Sequence, residues 1–466
     1  MSFSRSRRRK RNEGVTKARR SEDKRVLMVS YNYPPVGAIG AVRTSKLARY
    51  LPDSGWRPTV LTVSRDRTKW SGGELEEGAL RRVRVIKAPF PDILTMAKEA
   101  LTRLGLVKDT GRPDEPAAPG GATRGGTARR LFSATRRWAA FPDRYLLWVP
   151  FAVVRGLIEL RKAEYGAIYS TSPPVSGHIV AAALSRLSGV PWVADLRDPW
   201  RHPYIDFSPL QDRIDARLER LVLRRASALV TVSEPLADEL LARNGRRPCG
   251  VACVTNGFDP VDASEGAPPS SDRFVLTYTG ALFGLRQDPA PLLQTLDGLA
   301  SEGSVDPGRV LVRFFGPREP GLDALIGGLA YPGMVEVCGV VPRGRALEAQ
   351  RESTAVLVLL WDEPYTAKIY GGKALEYLGA GRPILAWNPS GGIIGDLLRR
   401  TGAGKAVCDR EELHRVLLEW YGEFERTGTV AFHGTEPEIE RYSWESLAGE
   451  MSSIIDCVAG VEHPGS

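Results

Sequence analysis

A chain of 466 residues exceeds what one hydrophobic core usually supports, so two domains with some excess are expected. Apolar residues make up 42% and charged residues 26%, ordinary globular values that exclude wholesale disorder and a membrane-embedded body. The net charge of +9 is concentrated in residues 1–25, which hold eleven Lys and Arg against three Asp and Glu; the rest is near neutral, and no nucleic-acid partner is expected.

Residues 1–24 read as a solvated, disordered basic tail or a weak tether to anionic lipid heads or polyanions, without the apolar stretch of a secretory leader. The folded part opens with RVLMVSYNYPP, whose apolar run Val26 to Val29 predicts a buried parallel strand. The loop VGAIGAVR, the helix TSKLARYLPDSG and the strand RPTVLTV complete a β-loop-α-β unit, the repeating element of a doubly wound sheet. Residues 64–140 break this rhythm and read as a long, partly disordered insertion with sixteen Lys and Arg against nine Asp and Glu. Its flanks ILTMAKEALTRLGLV and RRLFSATRRWAAF suit either an acidic surface or the domain's own core.

The α/β alternation resumes with the helix around WVPFAVVRGLIELRKAE and runs through strands GAIYSTS, PWVADLRDPW and SALVTVS to CVTNGFDP. A Ser, Pro and Gly-rich linker over 261–272 separates a second series: FVLTYTG, VLVRFFG, MVEVCG, AVLVLL, PILAW and GKAVC, with intervening helices. In the final segment Leu447, Met451, Ile454 and Ile455 recur at helical spacing. The organisation expected is a basic tail 1–24, a first domain 25–260 carrying the insertion, a second domain 273–435, and a helix 436–458 packing back on the first domain. Two such halves would face a cleft at the carboxyl ends of their strands, where ligands bind in these folds.

No window offers the roughly 18 apolar residues of a spanning helix, so any membrane contact would be peripheral. Cys249, Cys253, Cys338, Cys408 and Cys457 are scattered and read as reduced, mostly buried thiols of a cytoplasmic protein. No His or second Cys pair completes a zinc site near Cys249 and Cys253, so no metal is expected.

Four stretches carry a resemblance: YNYPPVGAIGAVR, PWVADLRDPW, YTGALFGLRQDP and GGKALEYLGAGRPIL. Their order and spacing resemble the retaining glycosyltransferases of family four, of the glycosyltransferase group 1 type and GT-B architecture, over roughly residues 25–458 apart from the insertion. Read on their own, Gly37 and Gly40 lie between a strand and a helix, where backbone N–H groups can approach an anion, although a plain tight turn uses the same residues. Arg43, one turn on, either faces the cleft or caps a surface. Gly371 and Gly372 open a helix, Lys373 adds a cation, and Glu376 shares that face. The resemblance implies that Glu376 accepts hydrogen bonds from a ribose diol.

Arg286, in the loop after LTYTG, is the candidate for the donor diphosphate. By resemblance Asp198 and His178 stand on the acceptor side, as catalytic or acceptor-orienting groups, and Asp195 is a candidate structural partner of Arg197. One departure concerns the position eight before Glu376, where many members carry the first carboxylate of a Glu-x7-Glu pair and this chain has Lys368; Asp362 or Glu363 could supply that oxygen.

The expected activity is transfer of a hexose from a UDP- or GDP-sugar to a hydroxyl with retention, without cofactor or metal, in cell-envelope or exopolysaccharide synthesis. The expected partners are the nucleotide-sugar donor, a lipid-linked saccharide or other hydroxyl acceptor, and an anionic membrane at its cytoplasmic face. The rivals are a nucleotide-sugar 2-epimerase and a non-catalytic nucleotide-binding scaffold.

Overall fold

The computed structural model describes residues 24–34, 39–64, 83–91, 141–201, 208–245, 248–260 and 272–461. The first series runs β1 (Lys24–Val29), α1 (Ile39–Tyr50), β2 (Trp56–Ser64), β3 (Arg84–Pro89), α2 (Val149–Leu160), β4 (Ala167–Ser172), α3 (Ser176–Ser188), β5 (Trp192–Leu196), α4 (Pro209–Leu223), β6 (Ala228–Thr231), α5 (Glu234–Asn244) and β7 (Val251–Cys253). The second runs β8 (Phe274–Thr279), α6 (Ala290–Ser301), β9 (Val310–Phe315), α7 (Pro320–Gly327), β10 (Val335–Gly339), α8 (Arg343–Arg351), β11 (Ala355–Leu359), α9 (Gly372–Leu378), β12 (Ile384–Trp387), α10 (Ile393–Thr401) and β13 (Gly404–Val407). Helices α11 (Arg410–Thr427), α12 (Glu436–Glu440) and α13 (Trp444–Ala459) close the chain.

The seven-stranded sheet has the order β3-β2-β1-β4-β5-β6-β7 and the six-stranded sheet the order β10-β9-β8-β11-β12-β13. In both, three strands step outward and the fourth returns to the far side of the first, the doubly wound pattern whose reversal points fall at β1/β4 and β8/β11. Pairings in the second sheet are parallel throughout, as are β3–β2, β1–β4, β4–β5 and β6–β7 in the first. The two Rossmann-like α/β halves are therefore as the sequence led us to expect. Packing divides the chain into two compact units, one ending at Ser227 and the other continuing from Ala228 and taking in Ser45–Trp56.

Parallel strands buried on both faces read as continuous apolar runs, and Val26 to Val29 are fully buried. In β11 the strand period of two sends Ala355, Leu357 and Leu359 into one core with α6 and α11, and Val356 and Val358 into the other with α9 and α10. Helix α13, capped by Ser443 on Ser446 N–H, packs against Leu51–Ser54, so the last helix does return to an early segment. Beside it Asp259 is buried and holds Lys46, the Tyr50 hydroxyl at 2.6 Å and Arg49 at 3.3 Å.

Three readings change. Strand β3 lies within the stretch 64–140, at the edge of the first sheet; its exposed Arg84 and Lys87 interrupt the apolar run that would have announced it. Helix α11 was not anticipated, although Asp409 caps it and Leu413, Val416, Leu417, Trp420 and Phe424 recur along its buried side. The cysteines are not all reduced, mostly buried thiols: Cys249 and Cys457 form a disulfide across 208 residues, with Cα atoms 6.0 Å apart. The return of α13 makes that pairing, which local spacing could not reveal. Cys253 and Cys338 are half-buried and Cys408 is exposed. The remainder of the insertion, the basic tail and most of the linker lie outside the described residues.

Candidate active site

The carboxyl ends of β8 and β11 bring together the second half's candidate residues. Glu376 sits on α9, one turn after Gly372. Gly371, at φ 63°, turns the chain into the helix through a backbone conformation that L side chains rarely adopt. The Glu376 carboxylate accepts from Lys373 Nζ at 3.0 Å, Gln350 Nε2 at 3.0 Å and Arg343 Nη1 at 3.3 Å. Burial alone would raise this carboxyl; the charges of Lys373 and Arg343 with the Gln350 bond outweigh that, and its pKa lies below the ordinary value. Gln350 also reaches Thr279 Oγ1 at 3.0 Å, which ties the cluster to the end of β8. The carboxylate is therefore held ionised and fixed in position, while Lys373 is 42% and Arg343 32% exposed. A small recess lies beside it, lined by Phe258, Arg343, Gln350, Glu376 and Gly379.

The loop after β8 carries Arg286. Phe283, Gly284 and Leu285 hold consecutive φ values of 50°, 67° and 62°, the first and last being left-handed without being glycine. Such strain persists only where the surroundings enforce it, and it clusters at ligand sites. Arg286 lies over the Trp361 ring at 5.2 Å from its centroid. Trp361 follows β11, the neighbour of β8 across the reversal point, so this cation stands where that sheet's ligand position is expected. Lys368 pairs with Glu239 at 2.5 Å, and Asp362 accepts from Ser390 at 2.9 Å.

In the first half the polar groups close upon one another. Arg43 donates to Asp195 through Nε at 2.7 Å and Nη2 at 3.0 Å, and the Tyr169 hydroxyl donates to the same carboxylate. Asp195 thus holds Arg43 and not Arg197, because α1 turns Arg43 inward onto β5; Arg43 caps no surface. Arg197 donates to Thr171 Oγ1 at 3.1 Å and to the carbonyls of Ser172 and Pro173 at 3.0 and 2.9 Å. Its guanidinium lies against Gly40, where a Cβ would fall 2.6 Å from Nη2, so that glycine is explained by the close approach of a side chain. Gly37 lies outside the described residues.

His178 is fully buried on α3, and burial lowers its pKa to about 3, so the ring is neutral. Its Nδ1 is 2.7 Å from Ser170 Oγ, which accepts from the Trp192 indole at 2.7 Å; Nε2 has no hydrogen-bond partner among the described residues. Asp198 is half-buried beside Arg197 and raises the pKa that burial lowers there. Sequence reasoning missed Arg343 and Gln350, which lie 33 and 26 positions from Glu376 and carry no motif of their own.

Residues 40–257 match the model of the "Glycosyl transferase 4-like domain". A 2-deoxystreptamine glucosyltransferase of Streptomyces kanamyceticus is 27% identical over 224 residues, 44% of this chain and 55% of the relative, so the match spans about half the length of that protein. The Anabaena protein HepE, solved with UDP, superposes with a TM-score of 0.60 at 15% identity over 93% of this chain and 99% of its own. A sucrose-phosphate synthase of Thermosynechococcus elongatus does so with a TM-score of 0.57 at 14% identity over 94% and 100%. Residues 40–257 thus resemble a glycosyl transferase 4-like domain, within a chain that has the fold of the GT-B glycosyltransferases.

Proposed function

We propose that this chain transfers a hexose from a nucleoside diphosphate sugar to a hydroxyl acceptor, with retention at the anomeric carbon and without a resident metal ion. The observation that carries this reading is the Glu376 carboxylate, kept ionised by Lys373 and Arg343 at the carboxyl end of the second sheet. An ionised carboxylate is the kind of acceptor that a ribose diol requires. The chemistry then requires positive charge where the diphosphate departs and negative charge accumulates. Arg286, in the strained loop after β8, and Lys373 supply it. On the acceptor side Asp198 is the group we assign to the incoming hydroxyl. His178, being buried and neutral, is a positioning residue that acts through Ser170.

UDP is the favoured nucleotide, since HepE of the same fold was solved with it. Lys368 in place of the usual first carboxylate leaves the contact to the transferred sugar to other groups. The favoured acceptor is a lipid-linked saccharide of envelope or exopolysaccharide synthesis at the cytoplasmic membrane face, a reading motivated by the sixteen Lys and Arg of residues 64–140. A small aminocyclitol is the second reading, favoured by the name of the Streptomyces relative.

The test is incubation of the full chain with UDP- and GDP-hexoses, with and without each acceptor class, followed by NMR of the products. Acceptor-dependent nucleotide release and a glycoside of the donor's anomeric configuration are expected. A free sugar epimer formed without acceptor would make the chain a 2-epimerase, and nucleotide binding with no turnover would make it a scaffold; either overturns the proposal.

A further inference from the structure

The first unit exposes two helix faces that its core does not use. On α2 and the turn before it, Leu147, Phe151, Val154 and Ile158 follow one another at spacings of four, three and four residues, so they form one stripe along the helix. Their exposures are 45%, 42%, 59% and 43%, whereas Trp148, Ala152, Gly156 and Glu159 of the same segment are buried. On α4 the spacing repeats with charge: Arg213, Arg217 and Arg220 are exposed in one row, with Leu210 at 58% and Leu221 at 66% on the same side. Gln211, Asp215, Glu219 and Val222 occupy the inward side.

Both faces belong to one layer. The crossovers β3 to β4 and β4 to β5 step in the same direction along the sheet, so right-handedness puts α2 and α3 on the same side of it. Helix α3 packs against both α2 and α4. The charges of this layer are unbalanced. Arg213, Arg217 and Arg225 form no ion pair with a described residue, and Lys87 on β3 adds a cation beside α2. Of the acids, Glu159 is buried and bound by Arg84 and Lys162, Asp215 and Glu219 are buried on the inward side of α4, and Asp212 is held by Arg201, so the excess of positive charge lies on the exposed face.

We infer that the α2–α4 layer is a docking face for an anionic lipid bilayer, with the α2 stripe entering the apolar boundary and the α4 arginines meeting the headgroups. Charge complementarity selects this occupant. A protein groove of ordinary composition would leave several guanidinium groups without counter-charges, whereas an anionic leaflet supplies them at any position, and apolar side chains interspersed with arginine match an interfacial helix surface. The inference does not depend on the transfer reaction, and its test uses no donor or acceptor.

The test is co-sedimentation of the full chain with vesicles of phosphatidylcholine alone and with about one-third phosphatidylglycerol. The parent should bind the anionic vesicles and release them in high salt. Arg213→Gln/Arg217→Gln/Arg225→Gln should weaken that binding by tenfold or more, since each cation near such a surface is worth roughly fivefold. Phe151→Ser/Val154→Ser should weaken it at unchanged charge; circular dichroism and the thermal midpoint establish that both variants are folded. Parent-like binding by either folded variant would overturn the inference. So would retention on RNA or heparin with none on vesicles, or a self-association that the same substitutions abolish.

Discussion

Each half of the molecule gathers cations and a carboxylate near the carboxyl ends of its strands, but the two clusters differ in what remains available. In the first half Arg43 and Asp195 are 1% and 0% exposed and meet in a bidentate pair that the Tyr169 hydroxyl completes. In the second, Glu376 is similarly surrounded, yet Lys373 and Arg343 keep about a third or more of their side chains in solvent. The buried pair is closed off from solvent and presents no accessible surface to an incoming ligand. The open cluster fixes one carboxylate and leaves two cations partly in solvent beside it. The same residue types thus form a closed pair in one place and, under the proposed function, a recognition site in the other, and solvent access separates the two.

The largest expected effect lies in the closed cluster. Asp195→Asn would leave the Arg43 guanidinium buried without its counter-charge, and breaking such a pair costs about 3–5 kcal/mol. Urea unfolding at neutral pH measures this, and a loss below about 1 kcal/mol would show that the pair is not the anchor we describe. A pH-dependent effect of similar size follows from His178. The unfolded ring takes up a proton below 6.5 and the folded ring only near 3, so stability falls as pH drops through that window. The slope is about 1.4 kcal/mol per pH unit from this group. Subtracting the His178→Gln unfolding curve from the parent's, pH by pH, isolates it; a flat difference between pH 6.5 and 4 would mean that the ring protonates in the folded state.

How much of this was legible in the sequence depended on whether the signal was local. Continuous apolar runs such as Val26 to Val29 announced the buried parallel strands, and Gly371-Gly372 with Lys373 and Glu376 announced the opened helix because three or four adjacent residues carry the pattern. Helix α11 was equally readable from Asp409 and its apolar periodicity, and was overlooked. The edge strand β3 was hidden by polar residues that only an edge position permits. The partners of a charge were not readable at all. Arg43 meets Asp195 across 152 positions, Arg343 meets Glu376 across 33, and Cys249 meets Cys457 across 208, each brought together by the sheet order and the returning last helix. Gly40 illustrates the limit most clearly: a glycine between strand and helix suggested an anion site, and the atoms lying against it are those of Arg197.

The smallest of these effects in energy is the one on which the functional account rests. Titration calorimetry of UDP into the parent and into Glu376→Ala, both checked for an unchanged fold, tests it directly. Loss of a hydrogen-bonded charged acceptor should weaken UDP binding by roughly tenfold to a hundredfold. Equal affinity in the two proteins would contradict the assignment of the Glu376 cluster as the nucleotide site.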